Sequence, residues 1–163
     1  MLQSLLPSIV VLGSAALAAI VLSRIRPSPA ENKSARAAAA YALAVATVIQ
    51  AIHFSEEALT GFPQRLSELL GLPAMPMSFF LTFNLAWLAI WIASVPGLRS
   101  GQTLAFFSAW FLAIAGVINA IAHPLLAVTA GGYFPGLVTS PIIGVVAVML
   151  WRRLREATEH AAR

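Results

Sequence analysis

The segment Gln50-Ala-Ile-His53-Phe-Ser-Glu56-Glu57 sets an imidazole three residues before one carboxylate and four before another. Those offsets bring side chains to one face of a helix, and Gln50 extends the stripe one turn further. A second segment, Asn119-Ala-Ile-Ala-His123-Pro124, puts an amide and an imidazole four apart, and Asn84 is the one strongly polar residue between Phe79 and Ile92, with Thr82 nearby. All of them lie in or at the end of long apolar runs, where ionisable and amide groups are costly and therefore mark function by default.

Two chemistries fit these residue types. In proton transfer, adjacent carboxylates beside a histidine in a poorly solvated layer repel one another, so one can keep its proton as an acid while a partner acts as base. Glu56 or Glu57 would be the acid/base, His53 and His123 base or ligand, and Asn84 and Asn119 orienting donors. In a metal centre, His53 and His123 with Glu56 or Glu57 form a two-histidine, one-carboxylate set that suits zinc or iron(II), with Asn84 or Asn119 orienting an imidazole from outside. The soluble motifs H-E-x-x-H and H-x-x-E-H show that such helical spacing chelates. Plainer readings stand beside these. Glu56 and Glu57 close a helix and could be solvated headgroup-level charges, and a His or Asn in a membrane helix often makes only an interhelical hydrogen bond, about 0.6 kcal/mol on average. His160, in an arginine-rich tail, reads as part of a solvated helix end, and the stripe Phe83, Trp87, Trp91 as packing or lipid-facing surface.

The elements that hold these groups follow from composition. Of 163 residues, 60% are hydrophobic and 10% charged, against roughly 25% charged in ordinary globular chains. A soluble domain of this size could not bury that much apolar surface. There is no cysteine, which excludes disulfides, thiolate metal sites and cysteine nucleophiles, and no motif marks a phosphate cradle, a dinucleotide fold or a serine nucleophile elbow. Leu5–Leu22, Ala37–Ser55 and Ser78–Val95 are apolar runs without charge, the last closed by Pro96-Gly97-Leu98-Arg99. From Ser100 to Trp151, 52 residues carry no acid, Lys or Arg, enough for two crossings at about 20 residues each. Gly131-Gly132-Tyr133-Phe134-Pro135 is the expected break. The sequence thus predicts one all-α integral membrane domain over 1–163, a five-transmembrane-helix bundle with helices at about 3–23, 37–58, 78–95, 103–128 and 135–155. Thr60–Met77 is read as a connector, and Pro124 and Pro141 as bends, Pro124 freeing a carbonyl near His123.

Five crossings put Arg24, Arg26, Lys33, Arg36, Arg99, Arg152, Arg153, Arg155 and Arg163 on one side and Arg65 alone on the other. That asymmetry predicts the N-terminus outside and the C-terminus in the cytoplasm, in a bacterial inner membrane, with Trp151 as interfacial anchor. It also accounts for the net charge of +4 without nucleic acid as a partner. The residues before Leu5 lack a basic n-region, which argues against a cleaved signal peptide. At about 1.5 Å per residue, His53, Asn84, Asn119 and His123 all fall in roughly the outer third of the bilayer, although only Lys and Arg set the topology.

His53-Phe54-Ser55-Glu56-Glu57 and, in order after it, Asn119-Ala120-Ile121-Ala122-His123 resemble the two motif elements of the HXXEE family, small bacterial integral membrane proteins. The resemblance covers the second to fourth helices and implies that these residues matter, without implying a reaction. The expected function is a membrane-embedded enzyme acting on an isoprenoid, sterol-like or other lipophilic molecule, by isomerase- or cyclase-like proton transfer or with a metal. A proton- or cation-coupled transporter, or a lipid- or metal-binding protein, is the alternative. Expected partners are membrane lipid, a lipophilic small molecule and a second copy of the chain, since Ala115, Gly116 and Ala120 would permit close helix packing.

Overall fold

The computed structural model describes residues 2–159; His160 and Arg163, both assigned above to the basic tail, lie outside them. Six helices and no strand occur among the described residues: α1 (Leu2–Ile25), α2 (Lys33–Leu59), α3 (Phe62–Leu69), α4 (Met77–Ser100), α5 (Thr103–Thr129) and α6 (Ser140–Ala157). Four of them, α1, α2, α4 and α5, are long and apolar enough to cross a membrane, which marks the chain as a membrane protein by length and composition. The fifth long helix, α6, is shorter at 18 residues and carries Arg152, Arg153, Arg155 and Glu156 near its end.

The long helices alternate in direction. Leu5 of α1 packs with Phe54 near the end of α2 and Phe80 near the start of α4, so those three ends lie together. At the opposite end the loop between α1 and α2 straps the end of α6. There Ser28 Oγ donates at 2.6 Å to the Ala157 carbonyl, which the helix terminus leaves unpaired, and Asn32 Nδ2 donates at 2.8 Å to the Glu159 carbonyl just beyond it. Arg36 is buried beside this strap and donates to the carbonyls of Pro29 and Ala30. The basic residues of the loop, of the α4 end and of the α6 end thus gather at one end of the bundle, and Arg65 on α3 lies at the other.

Several boundaries differ from the sequence reading. The third long helix does not stop at Pro96 but runs through it to Ser100. A proline removes one ladder bond, whereas the stop is set by Gly101, which at φ +79° lets its own N–H reach the Leu98 carbonyl and the Gln102 N–H reach the Gly97 carbonyl. The connector Thr60–Met77 contains α3, started by Gly61 and Pro63 and fixed where Ser67 Oγ accepts the Met75 N–H at 3.2 Å. The last helix begins at Ser140, five residues later than expected, because Gly136 at φ +87° takes residues 135–139 through turns. Pro141 consequently sits in the first helical turn, where no N–H is needed, and does not bend α6.

Small residues bring α5 and α6 to backbone contact. A Cβ on Gly116 would lie 2.7 Å from that of Ala147, and one on Gly144 would lie 2.5 Å from that of Ala120, so Gly116 and Ala120 are used inside the protomer. The aromatic stripe also packs internally: Trp87 lies 4.3 Å from Phe111 between ring centroids, and Trp91 Nε1 donates to the Ser108 carbonyl at 3.0 Å. Gly144→Leu should therefore push α5 from α6 and cost about 1–3 kcal/mol. Gly13→Leu, at a position with nothing within 4 Å, should be close to neutral. Thermal unfolding in detergent checks this, and equal midpoints for the two variants would rule out the tight α5–α6 seam.

Candidate metal centre

α2 and α5 each pack against α4 and α6, their side chains meet near their C-terminal ends, and the turns before α6 fold back over them. Glu56 and Glu57 are neighbours on a helix, about 100° apart around its axis, and they separate accordingly. Glu56 turns to the start of α6. Its carboxylate accepts from Tyr133 Oη at 2.9 Å, the Val138 N–H at 3.1 Å, the Thr139 N–H at 2.9 Å and the Thr139 hydroxyl. Four donors fill the lone-pair positions of one carboxylate and give α6 an acidic cap from another helix, which its own Thr139 side chain does not supply. Desolvation raises the Tyr133 phenol above its ordinary range, with Thr60 opposing and Glu56 reinforcing the shift, so it remains a donor.

Glu57 turns inward. Its Oε1 lies 3.3 Å from His123 Nε2 and 3.8 Å from His53 Nε2, and all three side chains are at least nine-tenths buried. The far nitrogens of both rings are engaged. His123 Nδ1 meets the Pro135 carbonyl at 2.7 Å, an acceptor only, so that nitrogen must carry hydrogen. His53 Nδ1 meets Thr139 Oγ1 at 2.7 Å. That hydroxyl has given its one proton to Glu56 and can only accept, so His53 Nδ1 carries hydrogen as well. In neutral rings both Nε2 lone pairs therefore face the same Glu57 oxygen. The rings stand edge-on, 4.8 Å between centroids and 89° between planes.

This donor set fits a divalent metal. One atom from each of His53, Glu57 and His123 lies within 4.8 Å of the others; the 3.3 Å Glu57–His123 edge matches the roughly 3.3 Å between ligands in a tetrahedral site with 2.0–2.1 Å bonds, and the 3.8 Å Glu57–His53 edge is wider, so an ion would draw His53 inward. Holding Nδ1–H on a carbonyl, or through a hydroxyl on a carboxylate, is how proteins fix metal-binding imidazoles. The buried Glu57 carboxylate also has no Lys or Arg partner among the described residues. A proton on an imidazole or a metal cation can balance it; an uncompensated charge at that depth would cost several kcal/mol.

Asn119 joins the centre, its Nδ2 lying 3.3 Å from His53 Nε2. Asn84 does not: it donates to the Phe80 carbonyl of its own helix at 2.9 Å, and no hydrogen bond links it to the cluster among the described residues. Residues that the spacing arguments did not single out complete the surroundings. Phe62 of α3 covers His123 at 5.5 Å between centroids, Thr139 and Pro135 bind the rings, and Gly136 leaves room for the His123 imidazole. Only the Gly/Pro-rich composition of residues 131–136 hinted at a special backbone there. Comparison with protein-family models, curated proteins and solved structures found no match.

Proposed function

We propose that the chain is a membrane-embedded, metal-dependent enzyme acting on a lipophilic substrate, with His53, Glu57 and His123 as ligands for zinc or iron(II). The observation that carries this reading is the convergence of two Nε2 lone pairs on one Glu57 oxygen while each Nδ1–H is tied elsewhere. A metal held there would supply a Lewis acid for a polar group of the substrate. The protein's own part is to set ring tautomers through Thr139 and Pro135, to keep water from the centre with Phe62, and to hold one negative charge on Glu57. Glu56, spent on capping α6, acts on the centre through Thr139 rather than as a ligand.

The placement belonging to this reading is a bacterial inner membrane crossed five times, N-terminus outside, with the centre in the outer half and α6 as last crossing. The basic residues at the opposite end of the bundle support it under the positive-inside rule. The two segments that resemble the HXXEE-family motifs supply His53, Glu57, Asn119 and His123 of the centre, and membership of that family is part of this proposal. A second reading, cation handling in transport, draws on the hydrogen-bonded line from Glu56 at the protein surface through Thr139 to buried His53. Solute-dependent proton flux in proteoliposomes would favour it.

Elemental analysis of purified protein tests the main reading. Wild type should carry close to one zinc or iron per chain, and His53→Ala and His123→Ala should each lose it. Metal retained at full stoichiometry in both variants, or absent from wild type after zinc or iron supplementation, would remove the metal centre from consideration. One co-purifying isoprenoid, sterol or lipid per chain would support the lipophilic substrate.

A further inference from the structure

His53 Nε2 has two polar neighbours, and they compete for its lone pair. The Asn119 amide lies 3.3 Å away and the Glu57 oxygen 3.8 Å away. Because His53 Nδ1 carries hydrogen, Nε2 of the neutral ring accepts, and Asn119 Nδ2 donates to it. A cation taking that lone pair would leave the amide's N–H pointing at positive charge. Rotation of the amide by half a turn removes the conflict and exchanges Nδ2 for Oδ1, a neutral oxygen ligand, at nearly the same place.

The distance suits this exchange. The Asn119–His53 separation of 3.3 Å equals the Glu57–His123 separation, and both match the roughly 3.3 Å ligand-to-ligand edge of a tetrahedral zinc site. Asn119 and His123, four residues apart on α5, would then approach the ion from one helix, and His53 and Glu57, also four apart, from the other. Resting on the metal reading above, we infer that Asn119 is the fourth ligand and that its amide oxygen closes the coordination sphere. A neutral amide is the weakest donor among two imidazoles, a carboxylate and itself, so Asn119 is the ligand that a polar group of the substrate displaces. The site is closed at rest and opens at one vertex.

Cobalt(II) substitution reads this without an activity assay. The wild-type cobalt protein should show the intense visible bands of four-coordination and respond little to azide. Asn119→Ala should bind cobalt about 10- to 100-fold more weakly, in the range by which neighbouring groups alter metal affinity, and its spectrum should change on adding azide. Asn119→Asp, which keeps an oxygen in place, should bind at least as tightly as wild type and stay insensitive to azide, and it serves if the alanine variant fails to fold. Wild-type affinity and azide response in Asn119→Ala, or azide sensitivity in a well-folded Asn119→Asp, would overturn the fourth-ligand role and leave the three-ligand centre standing. A wild-type protein that takes up no cobalt would overturn both.

Discussion

Replacing Glu57 by glutamine should abolish metal binding while leaving the metal-free protein at least as stable as wild type. The two halves of this expectation have different origins. Among the described residues Glu57 is the one carboxylate facing both Nε2 atoms, so on the proposed reading the variant keeps two imidazoles and loses the only anionic ligand. Partners that merely orient ligands are worth about 10- to 100-fold in affinity, and loss of a charged ligand should exceed the upper end of that range. Removing one member of a buried ion pair often costs about 3–5 kcal/mol, because the other charge is stranded. Here the other member can give up its charge. The partners here are imidazoles and not a Lys or Arg, so removing the carboxylate strands no fixed charge.

The measurement is thermal unfolding in detergent with and without added zinc. At 100 times its dissociation constant, a ligand that binds only the folded state adds about 2.7 kcal/mol. Wild type should gain that amount and Glu57→Gln close to nothing, with the two curves coinciding or reversed when the metal is chelated. Equal stabilisation of both proteins by zinc would show that Glu57 is no ligand. A large loss of stability in the metal-free variant would show instead that the carboxylate is held by a group that cannot shed its charge.

The centre was legible in the sequence to the extent that it depends on helical spacing. His53 with Glu57, and Asn119 with His123, are four apart on two parallel helices, and equal depth in parallel helices is a sufficient condition for contact once the right faces meet. Asn84 shows where depth alone fails. It has a plausible height, but rotation about the α4 axis is a separate coordinate that depth leaves free, and the side chain bonds to its own helix. The choice between Glu56 and Glu57 needed a third element, the start of α6, whose unpaired N–H groups draw Glu56 away from the imidazoles. Thr139 could not be found by periodicity, because it stands at the end of turns and acts 86 residues from His53. The helix boundaries shift for a related reason: in the sequence Pro96 closes the third apolar run and Pro135 opens the last, whereas glycines at positive φ, Gly101 and Gly136, decide where the chain leaves or delays helical geometry.

Gly136→Ala should be the most damaging single-methyl change in the turns before α6, and its cost can be divided by experiment. Gly136 has φ +87°, which an L side chain adopts at about 1–2 kcal/mol, and a Cβ there would overlap the imidazole of His123 at Cε1 and Nδ1. The ring cannot retreat freely, since it is fully packed and its Nδ1 is bound to the Pro135 carbonyl one residue away. Displacing it breaks that buried hydrogen bond, worth about 1–3 kcal/mol when a partner is left unpaired, and moves Nε2 from Glu57. Gly131→Ala supplies the comparison. It carries the same kind of strain at φ +72° but meets nothing within 4 Å, so it should lose about 1–2 kcal/mol and keep its metal. Gly132→Ala, with neither strain nor overlap, should be near neutral. Ranked by unfolding midpoint the order should be Gly132→Ala, Gly131→Ala, Gly136→Ala, and only the last should lose zinc or cobalt. If Gly136→Ala lost no more stability than Gly131→Ala and kept its metal, the seat of His123 against Gly136 would be wrong. With it would fall the constraint that turns the His123 Nε2 lone pair toward Glu57.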